Sequence, residues 1–256
     1  MTAPAAALVV KDISRHFGGL KAMRHVSLSL GAGERVSVIG TNGAGKSTLF
    51  NCIAGALIAT SGTITLFGED ITRVRAARRA RRGLARTFQT SRLFGQLTAA
   101  ENLFVALGGV RMRGSGLMPS RRDTARWEAA VELLDRVGLA GRGAQLVADL
   151  SHGEQRQLEI GMALALDPKI LMLDEPAAGF SPSERAHLVA LLSSLPETVS
   201  LLLIEHDMDI ALAVATRVIV MHDGEKILEG SPDEIRASDL VREIYLGGMV
   251  GDAAEQ

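Results

Sequence analysis

"RVSVIGTNGAGKST" (residues 35–48) decides what kind of fold this chain can build. Its first six residues form a compact apolar strand. The run that follows is rich in glycine and ends in Lys-Ser-Thr, where a helical stretch, "KSTLFNCIAGAL", begins. Gly40, Gly43 and Gly45 let the backbone curl until its N–H groups face a chain of phosphates, and the helix N-terminus adds its partial positive charge. Lys46 can reach the β- and γ-phosphates, and the Ser47 hydroxyl can ligate Mg²⁺. Gly40, Thr41, Asn42, Gly43, Ala44, Gly45, Lys46, Ser47 and Thr48 are therefore the candidate phosphate site. An ordinary glycine-rich turn is the competing reading, and the strand–loop–helix context argues against it.

Short strands surround that core: "AALVV", "VSLSL" and "TITLFG" in the first 70 residues, separated by glycine turns. The middle of the chain, about 98–165, reads as helical, with "DTARWEAAVELLDRVGL" carrying apolar residues at i, i+3 and i+4. From 169 onward strand and helix alternate again, and the continuous apolar runs "ILML" and "LLLI" suggest the buried centre of a parallel sheet. The pattern predicts an α/β fold with a helical block inserted in its middle.

Composition sets further bounds. At 256 residues, 47% hydrophobic and 22% charged, the chain can bury a full core. Its net charge of −1 offers no bulk attraction to nucleic acid, so no nucleic-acid partner is expected. "RVRAARRARRGLAR" (73–86) holds seven arginines but no aromatic stacking partners, and reads as a solvated helix face. The most apolar stretch, "VALLSSLPETVSLLLI" (189–204), is interrupted by Ser, Pro, Glu and Thr, so no membrane span is expected. "MTAPAAALVVKD" lacks a basic leader and reads as a first strand. The single Cys52 cannot form an internal disulfide, fits a reducing cytoplasm, and is expected to be a buried thiol.

Three further stretches supply chemistry that the glycine loop lacks. In "ILMLDEP" (170–176), Asp174 ends an apolar strand at the carboxyl edge of the sheet and can hold Mg²⁺; Glu175 beside it can orient or deprotonate a hydrolytic water. In "LLLIEHD" (201–207), His206 sits at the same kind of edge and can hydrogen-bond a γ-phosphate. Gln89, after another short strand in "RTFQT", can sense Mg²⁺ and water. "LSHGEQRQLEI" (150–160) looks like a helix start made for an anion, yet no lysine stands near it.

The order of these motifs is that of an ATP-binding cassette ATPase, and the chain resembles that family over about residues 6–247. The resemblance implies a P-loop NTPase core with a mainly parallel central sheet, an N-terminal antiparallel β-subdomain, and a helical subdomain at about 90–165. Residues 248–256 are expected to be a flexible tail. It further implies that two cassettes face each other head to tail around ATP. Ser151, Gly153 and Glu154 of one would then grip the phosphate held by the Lys46 loop of the other. Glu175, His206 and Gln89 are the implied catalytic residues, with Ser47, Gln89 and Asp174 around Mg²⁺. Phe17 falls where a family aromatic stacks on adenine; a core phenylalanine is the alternative. His152 and Glu154 depart from the family's Gly and Gln, with His152 expected to point away from the nucleotide. Ser181 stands where an aspartate is usual, which puts symmetric coupling of the two sites in question.

With no membrane helices and a single nucleotide core, the chain resembles a subunit that docks on separate membrane proteins through its helical block, near Arg92, Leu93 and Phe94. "FGGLKA", "ARTFQTSRLF", "LEIGMALALDPKILMLDEPAAG", "IEHDM" and "IYLGG" resemble an ATPase of bacterial branched-chain amino-acid uptake. The implied partners are transmembrane permease subunits, a second ATPase, and indirectly a periplasmic solute-binding protein, at the cytoplasmic face of the inner membrane. Urea or amide importers, lipopolysaccharide-export ATPases, a soluble regulatory ATPase and a P-loop kinase are the alternatives.

Overall fold

The computed structural model describes residues 6–87, 93–109 and 121–251; Gln89 and Arg92 lie outside them. In chain order, β1 (Ala6–Phe17), β2 (Leu20–Gly31), β3 (Arg35–Gly40) and α1 (Lys46–Ala54) come first. Next are β4 (Ser61–Leu66), β5 (Glu69–Asp70), the short α2 (Ala76–Ala80) and β6 (Leu84–Arg86). A helical block follows, α3 (Ala99–Gly109), α4 (Arg121–Arg136) and α5 (His152–Leu164). The chain then returns to alternation with β7 (Ile170–Asp174), α6 (Pro182–Ser193), β8 (Ser200–Ile204) and α7 (Met208–Val214). It closes with β9 (Arg217–His222), β10 (Glu225–Gly230), α8 (Pro232–Ala237) and α9 (Asp239–Gly251).

Two sheets result. β2, β1, β4 and β5 form an antiparallel sheet in that order. The central sheet runs β10-β9-β3-β8-β7-β6, parallel throughout except for β10 at one edge. The apolar runs of β7 and β8 serve both faces of that sheet. Leu171, Leu173, Leu201 and Leu203 join the core under the helical block, whereas Ile170, Met172, Leu202 and Ile204 join the core shared with α1 and the antiparallel sheet. A strand buried on both sides must be apolar at every position, which is why these runs show no alternation.

The arginine run keeps its expected solvated face at Arg73, Arg75, Arg78, Arg81 and Arg82 and departs from it at Arg79. Only five residues of it form α2, and Arg79 is 1% exposed. Its guanidinium donates to the carbonyls of Cys52 (2.8 Å), Ile53 (2.6 Å), Val74 (2.7 Å) and Thr72 (3.1 Å). Cys52 and Ile53 belong to the last turn of α1, where the Gly55 N–H reaches the Cys52 carbonyl at 3.2 Å, and Arg79 caps and neutralises that negative end together with it. Gly55 makes room: a Cβ there would lie 2.7 Å from Arg79 Nε. Arg79→Met is expected to lower folding stability by about 3 kcal/mol, because it strands several buried acceptors. The corresponding fall in Tm is about 6–12 °C. A urea melt showing less than about 1 kcal/mol of change would contradict this role.

Cys52 is buried, as expected, and burial pushes its thiol pKa up. At the other end, α9 continues to Gly251, past the boundary at 248 expected for a tail. Val241 and Tyr245 hold its first half against the core formed by Ile39, Val218 and Val220. No helix among the described residues is long and apolar enough to cross a membrane.

Candidate active site

Sheet register assembles the site. Val38 of β3 lies opposite Ile204 of β8, and Ile204 opposite Asp174 of β7. The carboxyl ends of three adjacent parallel strands therefore deliver the glycine loop, Asp174 with Glu175, and Glu205 with His206 to one edge of the sheet. That edge is where α/β sheets collect their ligands.

The loop needs its glycines for different reasons. Gly40 has φ +153°, and a Cβ there would lie 2.1 Å from the Met221 carbonyl. Gly45, at φ +91°, starts α1 in a left-handed conformation, and a Cβ would come within 2.7 Å of the Ala22 carbonyl. No side chain caps α1, so the first-turn N–H groups are left for an anion. Asn42 to Thr48 line a cradle of about 430 Å³ completed by Ala22 and Glu175. Lys46, 6% exposed, donates to the carbonyls of Gly40 (2.7 Å) and Thr41 (2.9 Å), which leaves its third proton for a phosphate oxygen. Burial pushes its pKa down, while the carboxylates of Glu175 and Asp174 act in the opposite direction.

Asp174 is 2% exposed, and its Oδ1 has no hydrogen-bond partner among the described residues. Burial and then neighbouring Glu175 push its pKa up, against the opposing charges of Arg86, Arg156 and Lys46. The Oδ1 without a hydrogen-bond partner among the described residues is the hard oxygen that suits a small divalent cation, whose charge would hold the carboxylate ionised. Glu175 adopts a left-handed backbone, φ +47°, unusual for a residue with a side chain. It walls both the phosphate cradle and a neighbouring cavity of about 210 Å³ that it shares with Asp174, Arg156 and His152.

His206 is exposed, at 55% of its side chain, and its Nδ1 lies 3.9 Å from Glu205 Oε2. Glu205 itself is fully buried, and its Oε1 accepts from the Ala177 N–H at 3.0 Å. Burial raises the Glu205 pKa despite that hydrogen bond. The sequence does not single out Glu205 and carries no signal for this buried link between β8 and the segment after Glu175.

Ser151, Gly153 and Glu154 do not line the phosphate cradle of their own chain. Ser151 is the N-cap of α5: its Oγ accepts from the Glu154 N–H, and the Glu154 carboxylate accepts from the Ser151 N–H at 2.8 Å. The second Glu154 oxygen pairs with Arg142 at 3.0 Å, so this residue's charge is satisfied within the chain. Gly153 is pressed against α6, where a Cβ would meet Glu184 Oε1 at 2.1 Å. Ser181 caps α6 through the same reciprocal pattern with Glu184. His152 is exposed, beside Gly179 of its own chain. Phe17 ends β1 at the Gly18-Gly19 turn and is 42% exposed, which excludes the core alternative; the Arg15 guanidinium lies 4.6 Å above its ring.

Comparison with known proteins agrees with this geometry. Residues 23–178 match the family described as ABC transporter, and residues 225–250 match one described as Branched-chain amino acid ATP-binding cassette transporter. The chain is 40% identical over 248 residues to the high-affinity branched-chain amino acid transport ATP-binding protein LivG of Salmonella typhimurium, covering 94% of this chain and 97% of that one. Among solved structures, the ADP conformation of MJ1267, an ATP-binding cassette of an ABC transporter, aligns with a TM-score of 0.82 at 32% identity, covering 94% and 99% of the two chains. The dimeric post-hydrolysis state of the cassette MJ0796, bound to ADP and Pi, aligns with a TM-score of 0.77 at 25% identity, covering 88% and 98%. With likeness running through nearly its whole length, the chain belongs to the ABC transporter family, as a cassette that binds and hydrolyses ATP.

Proposed function

We propose that this cassette drives uptake of branched-chain amino acids across a bacterial inner membrane, working from the cytoplasmic face. The observation that carries this reading is the likeness to LivG, reinforced by the match at residues 225–250, a segment outside the phosphate loop and its acids. Its partners on this reading are transmembrane permease subunits and a second cassette, with a periplasmic solute-binding protein delivering the substrate to the permease.

In the mechanism, the loop amides and Lys46 hold the β- and γ-phosphates of ATP, and Phe17 stacks on the adenine. Mg²⁺, when bound, neutralises charge developing on those phosphates. The Ser47 hydroxyl and the Asp174 carboxylate would hold it, with Gln89 the remaining candidate. Glu175 takes the proton of the attacking water, and His206 orients that water against the γ-phosphate. Ser151 and Gly153 of the facing cassette close the site. Closure therefore depends on ATP, and hydrolysis reopens the pair.

Purifying the full-length Glu175→Gln protein with ATP in mild detergent, and identifying its companions by mass spectrometry, tests the assembly. Multi-spanning membrane proteins and a second ATPase are expected. Labelled leucine uptake should disappear with the gene for this chain and return with the wild-type copy. A homodimer with no membrane companion would overturn the transporter reading.

A further inference from the structure

Arg156 sits one turn into α5, beyond the Ser151 cap, and its side chain leaves the helix for the end of β7. Its Nη2 donates to the Asp174 carbonyl at 2.5 Å and to the Glu175 carbonyl at 3.4 Å. Its Nη1 is held by Glu159 at 2.7 Å, and both side chains of that pair are 9% exposed. The guanidinium thus has one nitrogen fixed on its own helix and another on the backbone that carries the acid pair. Planar guanidinium suits this task because its donors diverge in a rigid fork.

The backbone it touches is an unusual one. Glu175 has φ +47°, a conformation that costs a residue with a Cβ about 1 kcal/mol or more. Neighbours hold it there: its N–H donates to the Ile204 carbonyl at 2.8 Å, and its carbonyl accepts from the Ala178 N–H at 3.2 Å as well as from Arg156. Two of these three come from β8 and the adjoining turn. The third comes from α5, the helix whose first residues are expected to meet the facing cassette. Beside this contact lies the cavity of about 210 Å³, so space is available for Arg156 and Glu175 to shift against one another.

We propose that Arg156 is a positioning residue that fixes the Glu175 backbone, so that the placement of α5 in each chain sets the aim of that same chain's carboxylate. This rests on the reading of Glu175 as the hydrolytic base. The consequence is a route in cis: docking of Ser151 and Gly153 on a partner's nucleotide moves α5, and Arg156 transmits that movement to the chain's own Glu175. Each site then reports its occupancy to the other without a change in the phosphate loop.

The test is a double-mutant cycle on the full-length chain, reading steady-state ATP turnover and ATP-driven dimer formation. Arg156→Gln is expected to lower kcat at least ~10-fold with the KM for ATP within ~2-fold, since it removes positioning and not binding. Arg156→Lys, which keeps the charge but not the fork, should recover part of that loss. In a Glu175→Gln background, Arg156→Gln should change the residual rate by less than ~2-fold, because both act through one group. Dimer formation with ATP should persist in the double variant. An equal fold-loss in both backgrounds, an unchanged kcat, or loss of ATP-driven dimers would overturn the proposal; if Arg156→Gln does not fold, Arg156→Lys carries the same cycle. Wild-type turnover by Glu175→Gln alone would instead remove the base reading on which it rests.

Discussion

Glu175→Gln is expected to abolish multiple turnover, lowering the rate of ATP hydrolysis by at least ~100-fold, while ATP binding survives. A positioned base contributes on the order of 10²- to 10⁴-fold to a hydrolytic step. Glutamine keeps the shape and hydrogen-bonding reach of the side chain but cannot accept a proton. The left-handed backbone at this position is no harder for glutamine than for glutamate, so the fold is not at risk. The charge change also favours retention of nucleotide. Glu175 lines the phosphate cradle, and its carboxylate acts on Lys46 there. Neutralising it removes a repulsion towards the triphosphate. Single-turnover chemistry should therefore slow, and the ATP-bound dimer should persist on a sizing column. A variant that hydrolyses ATP at the wild-type rate would show that another group takes the proton.

The parts of this molecule legible in the sequence are those where one physical demand leaves few residue choices. Gly40 and Gly45 announce the loop because their backbones come too close to Met221 and Ala22 for any side chain. The unbroken apolar runs of β7 and β8 announce a sheet covered on both faces. Asp174, Glu175 and His206 stand out as candidates because each lies at or within two residues of the end of such a strand. Other features were hidden because the determining partner is far away in the chain. Arg79 looks like its six neighbours in the arginine run, and only the space opened by Gly55 makes it a buried cap for α1. Glu205 resembles a surface acid until the Ala177 N–H is brought to it. Arg156 carries no signal in a helix start that reads as an anion site, since its role depends on two carbonyls at the end of β7 and just past it. The edge strand β10, "EKILEG", is half-buried and charged, so neither an apolar run nor a clean alternation marks it.

Ser151→Arg separates the two ways in which the α5 start could serve the reaction. In its own chain, Ser151 is exposed and absent from the wall of the phosphate cradle. Its visible local task is to cap α5 with Glu154, and losing such a cap costs about 1 kcal/mol, too little to unfold a domain of ordinary stability. The isolated variant should accordingly bind ATP within ~2-fold of the wild type, a change below about 0.4 kcal/mol. On the head-to-tail reading its turnover should nevertheless fall at least ~100-fold, because a long side chain would occupy the space where a facing cassette's γ-phosphate docks and so block the closure that completes the site. A trans site makes one further demand. Mixed with Lys46→Ala, whose α5 start is intact, the Ser151→Arg chain still offers an intact phosphate loop, so one composite site per mixed dimer should recover turnover that neither variant has alone. A cis site gives no such recovery, because both chains would carry a broken site of their own. Loss of ATP binding by the lone Ser151→Arg chain would place this helix start on its own nucleotide and end the head-to-tail reading.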